Sequence, residues 1–212
     1  MSLRLLLLRH GETDWNQERR FQGWMDTTLS PTGRAQAEAA ARMLAAQPLA
    51  AVWASPLARA LDTARAIAAP HGLPVETDPA FKEMRFGPWE GLTVGEVQAR
   101  WPEEYRTWVE RPHELRLGGA ETVEEVRRRV LDGLDGLRGR HQGQTVCLVA
   151  HGVSSRILIL EALGLPLERA WAVQVSSTGL SELEFRDDWT ALHRMNTLVH
   201  LNDLTAGRGG PA

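Results

Sequence analysis

The sequence predicts an α/β fold: a three-layer sandwich with a mostly parallel central sheet, helices on both faces and an antiparallel hairpin at one edge. Three observations predict it. Short, almost uninterrupted apolar runs ("LRLLLL", "AAVWAS", "QTVCLVA") alternate with longer segments of helical period. No linker and no fixed-period repeat divides residues 1–204, which read as one domain. The chain has 212 residues, 43% apolar and 24% charged, the balance of a soluble protein long enough to bury a full core.

Taken in order, residues 3–8 are apolar except for Arg4, as a strand buried on both faces requires. In "LSPTGRAQAEAAARMLAAQP", Ser30 is the candidate N-cap and Pro31 the first helical residue. "AAVWAS" is the second strand. "PLARALDTARAIAAPHG" is the second helix, opened by Ser55 and Pro56 and closed by Gly72. "LPVET" is a short strand. Residues 78–119 are irregular and hold Trp89, Trp101 and Trp108, with short helices expected over 93–100 and 103–110. "ETVEEVRRRVLDGLDGL" sets Val123, Val126, Val130, Leu131 and Leu134 on one helical side. "QTVCLVA" is another buried strand and "VSSRILILEALG" the helix after it. "LSELEFRDD" and "TALHRMN" alternate around Asp187 and Asp188, the signature of an antiparallel hairpin. Residues 205–212, "TAGRGGPA", read as a disordered tail.

The net charge of −3 provides no broad basic field, which argues against nucleic acid or an anionic membrane as partner. Cys147 is the single cysteine, so no intramolecular disulfide can form, and it is expected to pack as a small hydrophobe. The opening run of four leucines is too short for a signal-peptide core or a membrane span. A cytoplasmic protein is expected. A homodimer is compatible with the sequence, which does not fix the oligomeric state.

The chemistry lies in "LLLLRHG" and "VCLVAHG", two apolar strands that both end in His-Gly. Open α/β sheets bind ligands beyond the carboxyl ends of their strands. If these strands are neighbours, His10 and His151 face one pocket. Arg9 beside His10 repels a metal cation and attracts an anion. Gly11 lets the backbone approach a bound group closely. Arg59 follows a Ser-Pro helix start, where free N–H groups and the helix dipole favour an anion; a plain surface arginine is the alternative. His151, followed by Gly152, opens its own helix, and a satisfied helix-cap histidine is its alternative. Together these groups suit a phosphoryl dianion, toward which a neutral imidazole is a competent nucleophile. The leaving oxygen then needs a nearby acid. A metal-dependent hydrolase built on His10, Glu12, Asp14 and His151 is a rival reading. No compact ligand set accompanies those residues, so no metal and no cofactor is expected.

"LLLLRHGETDWNQERRFQGWMDTTLSPTGRAQA", "SPLARALDTA", "KEMRFGPWEGLT", "GGAETVEEVRRRV" and "LVAHG" together resemble the histidine phosphatase superfamily, the phosphoglycerate-mutase-like proteins, over residues 3–200. The resemblance implies a phosphohistidine on His10, with Arg9, Arg59, His151 and Gly152 holding the phosphoryl group. It implies that Asn16, Gln22 and Gly23 also approach that group. It implies that Glu83 protonates the leaving oxygen and later activates water; the residues alone do not single Glu83 out from Glu12, Glu90 or Glu96. The block reads Glu83-Met84-Arg85-Phe86-Gly87, without the His and Tyr of the mutases, and only 68 positions separate Glu83 from His151. That resembles the phosphatase branch, so the expectation is a metal-independent hydrolase of small phosphomonoesters. A cofactor-dependent phosphoglycerate mutase and a non-catalytic phospho-ligand-binding module are the alternatives. Phe21, Trp24, Met25 and the nearby tryptophans either line an apolar pocket mouth for a bulky or aryl ester or pack as core. Arg85 is a candidate for reading a second negative group.

Overall fold

The leucines of the first strand need cover on both faces, and the chain supplies it with helices from two separate stretches. A computed structural model describes residues 2–202 and 204. In chain order its elements are β1 (Ser2–Arg9), α1 (Asp14–Gln17), α2 (Pro31–Leu44), β2 (Leu49–Ala54), α3 (Ala58–Ala68), β3 (Val75–Thr77), α4 (Val94–Arg100), α5 (Pro102–Glu110), α6 (Val123–Arg140), β4 (Gln144–Ala150), α7 (Gly152–Leu163), β5 (Leu180–Arg186) and β6 (Thr190–Thr197), with short 3₁₀ turns between them. The predicted tail, 205–212, lies outside the described residues.

One six-stranded sheet runs in the order β3-β2-β4-β1-β5-β6. The first four strands are parallel, and the β5–β6 hairpin adds antiparallel to β1. The three-layer α/β sandwich is therefore as predicted. Leu6, Leu8, Cys147 and Val149 pack with α2 and α3 on one face. Leu5, Leu7, Val146 and Leu148 pack with α6 and α7 on the other. Each β1 leucine is at most 2% exposed, and burying such a side chain is worth about 2 kcal/mol. Those leucines hold β1 at the centre of the sheet, and the β1–β4 register then places the residues after both strands side by side. Burial also pushes the Cys147 thiol up to about 12, leaving it inert.

Helix starts obey their capping chemistry. Ser30 Oγ accepts from the Gly33 N–H at 3.0 Å, with Pro31 first in α2. Thr93 with Glu96 and Thr122 with Glu125 form capping boxes at α4 and α6. Helices α5, after Trp101, and α3 start without a side-chain cap from their own N-cap residue. Helix α3 begins at Ala58, two residues beyond the predicted start, and its cap position is Leu57, which has no capping side chain. The Asp26 carboxylate substitutes from across the loop, accepting the Ala58 N–H at 2.7 Å. Trp89 and Trp108 are core, packed with Phe21, Phe86 and Trp171, so the packing alternative holds for most of the aromatic segment. Among the described residues, no helix is long and apolar enough to cross a membrane.

Candidate active site

β1 and β4 are hydrogen-bonded neighbours in parallel register, with Arg9 opposite Ala150. The residue after each strand is a histidine. The His10 and His151 rings sit 5.1 Å apart, tilted by 57°, and both are buried. The Ala150 carbonyl fixes the backbone between them by accepting the His10 N–H at 3.0 Å.

Hydrogen bonds define the state of His10. Its Nδ1 lies 2.7 Å from the Gly11 carbonyl, which can only accept, so Nδ1 carries the proton. Nε2 is then the lone-pair nitrogen. Arg59 Nε lies 3.3 Å from it and donates toward it. Burial, then the charges of Arg59 and Arg9, hold the His10 imidazole well below its ordinary value, so it is neutral near pH 7. The same causes, with burial first, hold His151 low. Both His151 ring nitrogens and Arg9 Nε are buried without a hydrogen-bond partner among the described residues. His151 caps α7 by position only; its backbone N–H donates to Ser154 Oγ at 3.1 Å while its ring stays free. The satisfied-cap alternative therefore fails for the imidazole.

Arg59 is fully buried in the first turn of α3. Its fork donates to the Gly23 carbonyl at 2.8 Å and the Met25 carbonyl at 2.9 Å, tying the 22–27 loop to His10. Burial draws this guanidinium down to about 10. The predicted anion site on the free N–H groups of α3 is corrected in part: Asp26 already occupies the first of them. Arg9 donates to the Val175 carbonyl at 3.0 Å, which directs the rest of its guanidinium toward the site.

The Glu83 carboxylate accepts from the Gly152 N–H at 2.9 Å, the Val153 N–H at 3.0 Å and its neighbour Met84 N–H at 2.9 Å. It therefore rests on the positive end of α7, beside His151, and its charge acts on both Arg9 and Arg59. The other carboxylates are engaged elsewhere. Glu12 accepts from Gln17, Glu96 caps α4, and Glu90 accepts from the Trp24 and Phe86 N–H groups. Geometry thus separates Glu83 from the three carboxylates that sequence could not rank against it.

Gly23 adopts φ +51°, and a Cβ there would lie 2.1 Å from Glu90 Oε1. Gln22 is buried, with Oε1 accepting from Thr27 at 2.7 Å. Asn16 uses Oδ1 to cap Thr13 and shows no bond through its amide nitrogen. Asn16 stands in α1, and Gln22 and Gly23 in the loop that follows it.

Several supports carry no signal in the sequence. Thr63 accepts from the Gly11 N–H at 3.0 Å and donates to the Arg59 carbonyl at 2.7 Å, locking the two key segments together. Arg129 donates to the carbonyls of Ala80, Lys82 and Glu83 at 2.7 to 2.9 Å and pairs with Glu121. Arg156 donates to the Val173 and Gly152 carbonyls, packs 5.0 Å from Trp171 and feels the charges of Arg9 and Glu83. Among the described residues, no group of three or more His, Cys, Asp or Glu side chains is placed to hold a metal ion.

Two neutral imidazoles and two guanidiniums, gathered where adjacent parallel strands end, define an α/β protein built to handle a small anion. The chain belongs to the histidine phosphatase superfamily (branch 1), whose profile matches residues 5–198. It is 34% identical over 202 residues to phosphoserine phosphatase 1 of Hydrogenobacter thermophilus, covering 95% of this chain and 96% of that protein. The solved structure of Bacillus stearothermophilus YhfR superposes with a TM-score of 0.90 at 31% identity, covering 94% of this chain and all of the other. A phosphoserine phosphatase mutant from Entamoeba histolytica, solved in complex with phosphoserine, superposes at 0.83 with 29% identity, covering 94% and 99%.

Proposed function

We propose that this chain hydrolyses small phosphomonoesters without a metal ion, through a phosphohistidine on His10. The observation that carries the reading is the fixed tautomer of His10: Nδ1–H is held by the Gly11 carbonyl, and Nε2 keeps its lone pair beside Arg59 and His151. In the first step the Nε2 lone pair forms a bond to phosphorus and the P–O ester bond breaks. The departing oxygen takes the electron pair and a proton from Glu83. In the second step water attacks phosphorus, Glu83 takes a water proton, the N–P bond breaks and phosphate leaves. Arg9 and Arg59 neutralise the equatorial oxygens, and His151 donates an N–H to one of them. The Gly23 amide, with Asn16 and Gln22, completes the cradle, while the Gly152 N–H, expected from the sequence to hold the phosphoryl group, is taken by the Glu83 carboxylate. Phosphorylated small molecules as substrates are supported by the phosphatase names of the relatives and by the phosphoserine bound to one of them.

The test is phosphate release from p-nitrophenyl phosphate and phosphoserine, with and without a chelator. Hydrolysis that survives the chelator and is abolished in His10→Ala is expected. Turnover retained in His10→Ala removes His10 as nucleophile. Isomerisation of 3-phosphoglycerate with a bisphosphoglycerate primer, fast and without phosphate release, replaces the hydrolase reading with a mutase.

A further inference from the structure

Glu90 is a carboxylate beside the site that the phosphoryl chemistry does not use. Its Oε1 accepts two backbone amides from different stretches of chain, the Phe86 N–H at 2.9 Å and the Trp24 N–H at 3.1 Å. The first bond closes a local turn. The second spans 66 positions and reaches the loop that holds Arg59. Gly23 and Trp24 share one peptide group. Its carbonyl accepts from Arg59 Nη2 at 2.8 Å, and its N–H donates to Glu90. Arg59 in turn donates toward His10 Nε2. A continuous line of hydrogen bonds therefore runs from His10 through Arg59, one peptide group and Glu90 to Phe86, which lies three residues beyond Glu83.

The surrounding backbone shows why the link is needed. The Val94 N–H donates to the Arg19 carbonyl, the Phe21 N–H to the Leu92 carbonyl, and the Gly91 N–H to the Phe21 carbonyl. This main-chain ladder joins the two stretches but ends at Phe21 and Gly91, before either reaches the site. From there Glu90 continues the connection, together with Trp24 Nε1, which donates to the Glu83 carbonyl at 2.8 Å. The approach is close: a Cβ on Gly23 would stand 2.1 Å from Glu90 Oε1. A local turn at Phe86 needs only a neutral acceptor. A carboxylate makes stronger, charge-assisted bonds, and hydrogen bonds in a chain polarise one another.

Resting on the phosphatase reading, we infer that Glu90 is a positioning residue, which holds the Glu83 segment in register with the Arg59–His10 floor. The acid then meets the ester oxygen while phosphorus meets His10 Nε2. A displaced acid has its own signature. p-Nitrophenolate departs readily without a proton, whereas the more basic phenolate gains from one. The test is kcat/KM, which reads the first chemical step, for p-nitrophenyl phosphate and phenyl phosphate, two esters of similar shape. Glu83→Ala sets the scale and is expected to lower the phenyl ester at least about tenfold more than the p-nitrophenyl ester. Glu90→Ala is expected to shift the ratio in the same direction, by about fivefold or more. Glu90→Gln keeps Oε1 as an acceptor and is expected to stay within about twofold of the parent ratio. The readout is a ratio within one preparation, so partial loss of folded protein cancels. If Glu90→Ala yields no soluble protein, Glu90→Asp, one methylene short of both amides, is read in its place with the same expected direction. Equal effects on the two esters, or a Glu90→Gln ratio matching that of Glu90→Ala, overturns the assignment and leaves hydrolysis intact. A Glu83→Ala ratio equal to the parent removes Glu83 as the acid and this assignment with it. Absence of phosphate release from both esters in the parent chain removes the hydrolase reading itself.

Discussion

Replacing Arg59 with alanine tests the site most directly, because one buried side chain serves the nucleophile, the phosphoryl group and the loop above them. A guanidinium about 5 Å from a phosphoryl charge, in an effective dielectric of about 20, is worth about 3 kcal/mol. That falls within the ~2–4 kcal/mol typical of a lost donor to developing charge. The expected loss in kcat/KM is therefore about 30- to 1000-fold. The Gly23 and Met25 carbonyls also lose their donors, costing about 1–3 kcal/mol of stability for each that water fails to reach. A second signature separates charge from collapse. Arg59 is the largest charge, after burial, among the causes holding His10 low. Without it the imidazole protonates more readily, so the acid limb of the kcat/KM profile moves to higher pH. The assay is steady-state hydrolysis of p-nitrophenyl phosphate from about pH 4.5 to 8, alongside thermal unfolding. A folded Arg59→Ala protein with less than about fivefold loss and an unmoved acid limb refutes this account of the site.

Two further outcomes are expected from other parts of the structure. His10 and His151 are both held low when folded, whereas the unfolded chain titrates them near their ordinary value of about 6.5. The unfolded state therefore binds more protons below that pH, and their contribution to stability, complete above about pH 6.5, is lost as pH falls, with a limiting slope of about 2.7 kcal/mol per unit for the two groups. Urea unfolding between pH 7 and 5 measures this, and a flat profile excludes two neutral buried imidazoles. Gly33 in α2 sits under the His10 loop, where an added Cβ would lie 1.9 Å from the Glu12 carbonyl oxygen. Gly33→Ala is expected to cost about 1–3 kcal/mol and to reduce kcat/KM at least tenfold by displacing His10; melting temperature and turnover that both match the parent chain contradict the packing.

Much of the fold is legible in the residues alone because the relevant physics is local. Ser30-Pro31, Thr122 with Glu125 and the leucines of β1 announce caps and double-sided burial through their immediate neighbours. The two His-Gly strand ends are legible too, since a polar pair terminating an apolar run needs a reason. What escapes such a reading depends on contacts across long stretches of chain. Asp26 caps a helix that starts 32 residues later, so the α3 boundary read from Ser55 and Pro56 falls two residues short. Arg129, Thr63 and Arg156 look like ordinary helix residues until their donors meet carbonyls of other segments. Glu83 itself is reachable only through resemblance, because its defining partners are backbone amides about 70 positions away, and an amide carries no residue-type signal.

The alignment of β1 with β4 ties catalytic competence to the slowest kind of assembly the chain undertakes. Arg9 and Ala150 are paired though 141 positions apart, and closing so long a loop costs entropy before any contact offsets it. A slip of a single residue would turn every β1 leucine to the opposite helical layer and carry the imidazole away with it. Compact intermediates that have formed α2, α3 or α6 but not this pairing hold no working histidine dyad. Regain of turnover during refolding is thus a clock for closure of the sheet's centre, not for the appearance of helix.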